Sequence, residues 1–377
     1  MANVRKLNNL KWLTIILATL LFLPLSSSGQ HAIGLDLAYG RILKIHPDFP
    51  EIKHNAYQFS GSYLHYTTGK KRTWPKLYKF PIVGLNLTYE SFGNAESLGK
   101  AISLTPSMGF YLLKKKRTDL IFTWGMGIGW LTKPYDKISN PDNIVIGSRL
   151  NFSAFAKIHL EWAASYKIRI AGGIQYMHYS NGNHSTPNIG ANIPAGFLGV
   201  RYFYQESEVE RSLTDSTFTL PVPNRKIHFN TRLSIGFTER GLDGPTFPVY
   251  TFSVGAYRYF GRKHKVLTGF EFVFHHGTAE FIRHIEGFEG EEFRQSSRYS
   301  WYIGHEAVFG HVGFLTEAGL YLNNFFLRRS LISNRIGFTF YGKNPLKVYR
   351  NLPYVGIYIH AVQGEAEFTE FLIGFDF

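Results

Sequence analysis

The sequence predicts an all-β chain, an antiparallel transmembrane β-barrel of about 16 strands, with two eight-stranded halves as the alternative arrangement. Three observations lead there. The composition joins 16% aromatic residues and 37 glycines with no cysteine, and the mean hydropathy of −0.12 is too low for a bundle of membrane helices. Many segments alternate large apolar with small or polar residues, as in Phe122, Trp124, Met126, Ile128 and Trp130 separated by Thr123, Gly125, Gly127 and Gly129, the period of a strand with two unlike faces. The chain stops on such a segment, Phe371, Ile373, Phe375 and Phe377.

In chain order, residues 1–29 read as a signal peptide: Arg5, Lys6 and Lys11 precede an apolar run from Trp12 to Leu25, and Ser26, Ser27, Ser28 and Gly29 follow. The run is shorter than the roughly 20 residues of a membrane helix, so it directs export and is removed. Without cysteine there is no lipid attachment site at the junction and no disulfide framework. Residues 30–206 form a first barrel half, 207–225 a periplasmic connection containing Pro221 and Pro223, and 226–377 a second half of unassigned role. Each half holds about eight segments of spanning length, roughly 9–11 residues. No residue-level repeat relates the halves, so one large barrel and two small ones both fit, and the single barrel is preferred.

With the mature N-terminus in the periplasm, the turns at Lys70, Lys114 and Ala164 are periplasmic. The longer connections, Ile45 to His54, Lys133 to Ile144, Ser180 to Asn192 and His276 to Ser297, are then external, the usual asymmetry of such barrels. Tyr, Trp and Phe near strand ends fit an aromatic girdle, and the terminal strand ending in Phe377 resembles the signal read by the barrel assembly machinery of the outer membrane. The formal charge is +14, and the leader's three basic residues leave +11 on the mature chain. The basic runs Lys70, Lys71, Arg72 and Lys114, Lys115, Lys116, Arg117 lie in turns, where solvation or anionic lipid head groups account for them better than nucleic acid does.

The most informative stretch is Tyr176-Met177-His178-Tyr179-Ser180-Asn181-Gly182-Asn183, continuing through Pro187, Asn188, Gly190 and Asn192. Ile168, Ile170, Ile174 and Tyr176 alternate with Lys167, Arg169 and Gln175, so even positions face lipid and carry His178 and Ser180 with them. Polar groups on that face are costly away from the interface. Residues two apart on a strand share a face with Cα atoms about 6.5–7 Å apart, within reach of an imidazole–hydroxyl bond that activates a nucleophile. On the next strand Arg201 and Gln205 mark the interior, which leaves Asn192 on the side of His178, where it can hold the imidazole as the third member of a triad does. Asn181, Gly182, Asn183 and Asn188 are candidate donors to an oxyanion. Chance and ordinary turn chemistry account for such a run more often than catalysis does.

The run His178-x-Ser180-Asn181-Gly182 with Pro187-Asn188-x-Gly190 resembles the active-site segment of the lipid A 3-O-deacylase family, outer-membrane acyloxyacyl hydrolases of the PagL type. Leu131-Thr132-Lys133-Pro134-Tyr135-Asp136 and Ile146-Gly147-Ser148 resemble its longer, two-part members. The resemblance covers roughly residues 52 to 206. It implies a cell outer-membrane esterase that removes a 3-hydroxyacyl chain from lipid A, with lipopolysaccharide and outer-membrane lipids as partners. Ser180 is then the nucleophile, His178 the base and later the acid, and Asn188 with nearby main-chain donors the oxyanion site. Where well-known members carry a glutamate to orient the histidine this chain has Asn192, so the alternative is a weak or inactive structural or pore-forming barrel; Asp136 or Asp142 is a possible substitute acid.

The Gly125, Gly127, Gly129 pattern is close strand packing rather than a phosphate loop, since no helix follows it. His275, His276, Glu280 and His284 crowd one external connection, but their spacing suggests a metal site only on a helix, and no helix is expected there. No cofactor or metal motif is assigned.

Overall fold

The structure is a computed structural model that describes residues 29–67, 74–204, 222–242, 244–285, 288–324, 330–346 and 351–377. The expected leader, apart from Gly29, the basic run at Lys70 and most of the connection 207–225 lie outside these residues. The first eight strands are β1 (Gly29–Gly40), β2 (Ala56–Thr67), β3 (Ile82–Ser91), β4 (Lys100–Lys114), β5 (Thr118–Leu131), β6 (Leu150–Ala163), β7 (Ile168–Ser180) and β8 (Ala191–Phe203). The second eight are β9 (His228–Glu239), β10 (Thr246–Phe260), β11 (His264–His275), β12 (Ser297–Phe309), β13 (Val312–Asn324), β14 (Ile332–Tyr341), β15 (Leu352–Val362) and β16 (Glu365–Asp376).

These sixteen strands form two closed antiparallel barrels, β1–β8 and β9–β16. The preferred single barrel is therefore corrected in favour of the two-halved arrangement. Closure is a backbone event: β8 returns to β1, with Phe203 opposite Ala32 and Ala195 opposite Gly40, and β16 returns to β9, with Phe371 opposite Ile235. Each closure satisfies the strand edges that lipid cannot hydrate.

The side-chain alternation falls as the sequence leads one to expect. On β7, Ile168, Ile170, Ile174 and Tyr176 are exposed while Ala171, Gln175, Met177 and Tyr179 are buried. Exposed aromatics ring both ends, with Tyr39 and Trp130 at the external end of the first barrel and Trp162 and Tyr202 at its periplasmic end. The interiors are filled with ion pairs. In the first barrel Asp36 meets Lys157 at 3.1 Å and Arg201 at 2.6 Å, and Arg169 meets Asp119 at 2.8 Å. In the second, Arg335 lies among Glu271, Glu317 and Glu370, and Lys265 meets Asp376 at 3.1 Å and Glu306 at 3.3 Å. The cavity lined by Asp36, Lys157, Glu161 and Arg201 measures about 30 Å³, room for about one water. Above it, Ile42, Phe49, Ile52, Phe92 and Leu98 pack on Met177 and Tyr179 and close the external mouth. Eight-stranded barrels have just enough width for side chains to fill them.

The barrels pack side by side. The helical turn α1 (Trp74–Leu77), in the β2–β3 connection, brings Tyr78 to the periplasmic end of the second barrel. There the Tyr78 ring lies tilted against that of Phe309, centroids 4.3 Å apart, and its hydroxyl donates to the Val308 carbonyl at 3.0 Å, and Lys263 donates to the Leu77 carbonyl at 3.0 Å. At mid-height Trp124 lies 4.6 Å from Phe314 and 5.9 Å from Phe338, centroid to centroid. The apolar face of β5 does not meet lipid along its whole length: at Trp124 it meets the other barrel, because an apolar ring is equally well buried by lipid or by protein.

A second correction concerns the external β11–β12 connection, which contains helix α2 (His276–Arg283) and the turn α3 (Glu292–Gln295). Helix α2 is short, carries Gly277 near its start and has no side-chain cap at His275. It forms because Ala279 and Ile282, one turn apart, are buried together. His276 pairs with Glu280 at 3.5 Å, His284 Nδ1 lies 2.7 Å from the Glu280 carbonyl, and His275 turns inward to 3.8 Å from Glu367. The four side chains thus do not share one centre.

Candidate functional site

β7 carries His178 and Ser180 to its external end on the outward face, continuing the row Ile174 and Tyr176. On β8 the exposed residues Pro194, Gly196, Leu198 and Val200 place Asn192 on the same face, directly opposite His178 in register. On β6, Ala154 lies opposite His178 and Phe152 opposite Ser180, so a methyl group on one side leaves room beside the imidazole.

His178 Nδ1 lies 2.8 Å from Asn192 Oδ1. An amide oxygen only accepts, so Nδ1 carries the ring proton and Nε2, pointing away from Asn192, presents its lone pair. The Ser180 hydroxyl donates to Asn188 Oδ1 at 3.2 Å. The imidazole–hydroxyl bond inferred from the two-residue spacing is therefore not formed in this state; the loop after β7 folds back and supplies a nearer acceptor. Ser180 is 8% exposed, outward on its barrel yet covered by that loop.

The loop 181–190 is held from within. The Asn181 amide also donates to Asn188 Oδ1 at 2.9 Å, Asn181 Nδ2 donates to the Ser185 carbonyl at 2.7 Å, and the Asn183 amide donates to Asn181 Oδ1 at 2.8 Å. The Gly182 amide points at Ser180 Oγ, 3.2 Å away. Of the expected oxyanion donors, the amides of Asn181 and Asn183 are thus engaged in the loop, Asn188 shows Ser180 its oxygen, and the Gly182 N–H is the donor directed at the hydroxyl. Gly190 has φ +85°, and a Cβ there would sit 3.0 Å from His178 Cε1, so only glycine lets the loop lie across the imidazole.

Asp136 accepts from the amides of Ser139 and Ile138, which hold its carboxyl below the usual carboxylate range. It is exposed and engaged in its own loop, and Asp142 lines a separate groove with Pro50, Glu51 and Lys53. The position beside the imidazole belongs to Asn192.

Residues of the second barrel reach this loop, and sequence reading did not find them. Glu239 accepts from Thr186 and Ser185, Asn183 Nδ2 donates to the Glu367 carbonyl at 3.3 Å, and Gly182 packs on Thr369. One signal was available. On β9, Phe229, Leu233, Ile235 and Phe237 form an exposed apolar row, and the next position in that row is Glu239, a carboxylate where lipid would not tolerate one unpaired.

Gly182 has φ +64°, and a Cβ would fall 2.1 Å from Thr369 Oγ1 and 3.3 Å from Phe152. Gly182→Ala adds left-handed strain of roughly 1–2 kcal/mol to that clash. The expected outcome is two barrels that still show the heat-dependent gel shift of folded membrane barrels, with activity lowered about tenfold or more, a loss of the size that small misplacements cause.

Two family models divide the chain as the two barrels do. Residues 59–201 match the family model described as lipid A 3-O-deacylase (PagL), and residues 227–377 match the acyloxyacyl hydrolase C-terminal domain. A search of curated proteins found no match. Among solved structures, Neisserial surface protein A aligns at 10% identity over 46% of this chain and 96% of its own, with a TM-score of 0.32. The outer-membrane enzyme PagL aligns at 15% identity over 44% of this chain and 97% of its own, with a TM-score of 0.31. The two family matches, one to each barrel and in order along the chain, identify it as an outer-membrane, two-part member of the lipid A 3-O-deacylase (PagL) family.

Proposed function

We propose that the chain is an esterase that hydrolyses a 3-hydroxyacyl ester of lipid A, with Ser180 as nucleophile, His178 as general base and acid, and Asn192 as the group that orients the imidazole. The observation that carries this reading is the outward, external-end placement of His178 and Ser180 on one face with Nδ1 bound to Asn192. That is the depth at which lipid A presents its acyl esters.

A rotation about χ1 of Ser180 exchanges Asn188 for His178 Nε2. The hydroxyl proton then passes to Nε2 as Oγ bonds to the ester carbon, and the oxyanion faces the Gly182 N–H. Release of Ser180 leaves the Asn181 amide on Asn188 Oδ1, and the Asn188 Nδ2 group is the side-chain donor left for the oxyanion. Collapse of the intermediate breaks the ester C–O bond, and the lipid A hydroxyl leaves with the proton from Nε2. Water, deprotonated by the same nitrogen, cleaves the acyl-serine and releases the 3-hydroxy fatty acid. The filled interiors and closed mouth of the first barrel favour this reading over a pore.

Expression in a host of known lipid A structure is expected to remove one hydroxyacyl chain, read by mass spectrometry. Unchanged lipid A from a folded, surface-located protein overturns the reading. An amide can hold the imidazole, as in Cys-His-Asn proteases, but it does not stabilise the imidazolium as a carboxylate does; replacing the carboxylate by an amide in a serine protease, where the wrong tautomer also results, lowers turnover by about 10⁴. Asn192→Asp is therefore expected to raise kcat about tenfold or more and Asn192→Ala to lower it; no gain with Asp argues against the orienting role.

A further inference from the structure

We propose that Glu239, on the second barrel, is a positioning residue for the loop 181–190 of the first, so that the second barrel completes the first barrel's site. The proposal rests on the deacylase reading for its catalytic consequence. Glu239 is the last residue of β9, and its Oε2 accepts from the Thr186 main-chain amide, from Thr186 Oγ1 at 2.9 Å and from Ser185 Oγ at 3.2 Å. Thr186 Oγ1 also lies 2.7 Å from the Gly241 carbonyl in the β9–β10 turn. Among the described residues no ion pair involves Glu239, so its hydrogen bonds are spent on the other barrel. Two residues beyond Thr186 stands Asn188, which holds both the Ser180 hydroxyl and the Asn181 amide.

The chain of contacts is short and has no slack. The Thr186 amide donates to the Glu239 carboxylate, and the Thr186 and Ser185 hydroxyls share their single protons between that carboxylate and the Gly241 and Gly147 carbonyls; these bonds fix residues 185 and 186, Thr186 fixes the approach to Asn188, and Asn188 sets where the Ser180 hydroxyl points. Hydrogen bonds to a charged acceptor are about twice as strong as neutral ones, and at the external rim they hold against water. This gives the second barrel a function that no residue in its own filled interior suggests. It also accounts for a carboxylate at the end of an outward apolar row. Because the side chain of Glu239 lies outside the ladders that close its barrel, in which its backbone pairs with Thr246, its truncation leaves both barrels intact.

The test uses the full chain folded in detergent micelles, with Glu239→Ala, Glu239→Gln and the Ser185→Ala/Thr186→Ala double variant. Hydrogen–deuterium exchange of residues 181–190 is compared with that of the strands, and kcat and KM are measured on purified lipopolysaccharide. In Glu239→Ala the loop amides, Thr186 above all, are expected to exchange at least about tenfold faster while strand protection is unchanged. In the same variant kcat is expected to fall ten- to hundredfold, the scale of loss from small misplacements, with KM within about twofold. Glu239→Gln, which keeps an acceptor oxygen, is expected to recover most of both, and adding Glu239→Ala to the double variant to lower kcat little further. Unchanged loop exchange in Glu239→Ala overturns the proposal, as does faster exchange with full turnover. If the unaltered chain leaves lipid A intact the deacylase reading falls, while the exchange result still decides whether Glu239 fixes the loop.

Discussion

Ser180→Ala is expected to leave lipid A fully acylated in cells and to lower kcat by at least about 10³, because a nucleophile removed from a unit with its base takes nearly the whole unit with it. His178→Ala is expected to cost nearly as much, and the double variant no more than either alone. That non-additivity separates joint chemistry from two independent structural losses. Folding serves as the control: Ser180 lies at the end of β7, opposite Phe152, and its hydroxyl bonds only to the loop, so the gel shift of the folded protein is expected to persist. Mass spectrometry of lipid A from expressing cells is the measurement. Loss of the acyl chain with Ser180→Ala would move the chemistry elsewhere.

Arg335→Met is expected to have the largest effect on stability. The guanidinium is buried and spans three carboxylates, bonding Glu317 at 2.7 Å and also reaching Glu271 and Glu370. Glu317 keeps Arg232 at 2.7 Å, but Glu271 and Glu370 lose their strongest partner. Breaking a buried pair from one side costs about 3–5 kcal/mol, and here two carboxylates are stranded. The expected result is a second barrel that fails to close, seen as loss of the heat-dependent gel shift and a lower urea midpoint. Activity is expected to fall with it, since β9 carries Glu239 and β16 carries Thr369 to the loop beside Ser180. Arg335→Lys keeps a charge but reaches fewer carboxylates, and an intermediate midpoint is expected. Wild-type stability in Arg335→Met would mean that the network contributes nothing net.

The candidate site was legible because period two is a local property. Ile174, Tyr176, His178 and Ser180 share a face whatever the strand pairs with, and β7 and β8 adjoin in sequence, so Asn192 on the face of His178 followed from the two alternations, while its place directly opposite is set by the register of the pair. The bond from Ser180 to Asn188 was not legible, since it depends on how the loop 181–190 folds. Helix α2 escaped for a related reason: eight residues with Gly277 and no cap carry too little local preference, and burial of Ala279 and Ile282 makes the helix.

By itself the sequence determined the strands, their two faces, the external-end motif and the deacylase resemblance, because each is written in spacing along one or two neighbouring segments. Only the tertiary structure decided that β8 closes on β1 rather than continuing into β9, that Trp124 meets Phe314, and that Glu239 grips Thr186. Strand closure is made by backbone hydrogen bonds that are the same for every side chain, and the contacts between barrels join residues more than fifty positions apart. Neither leaves a mark in a local pattern, apart from one carboxylate at the end of an apolar row.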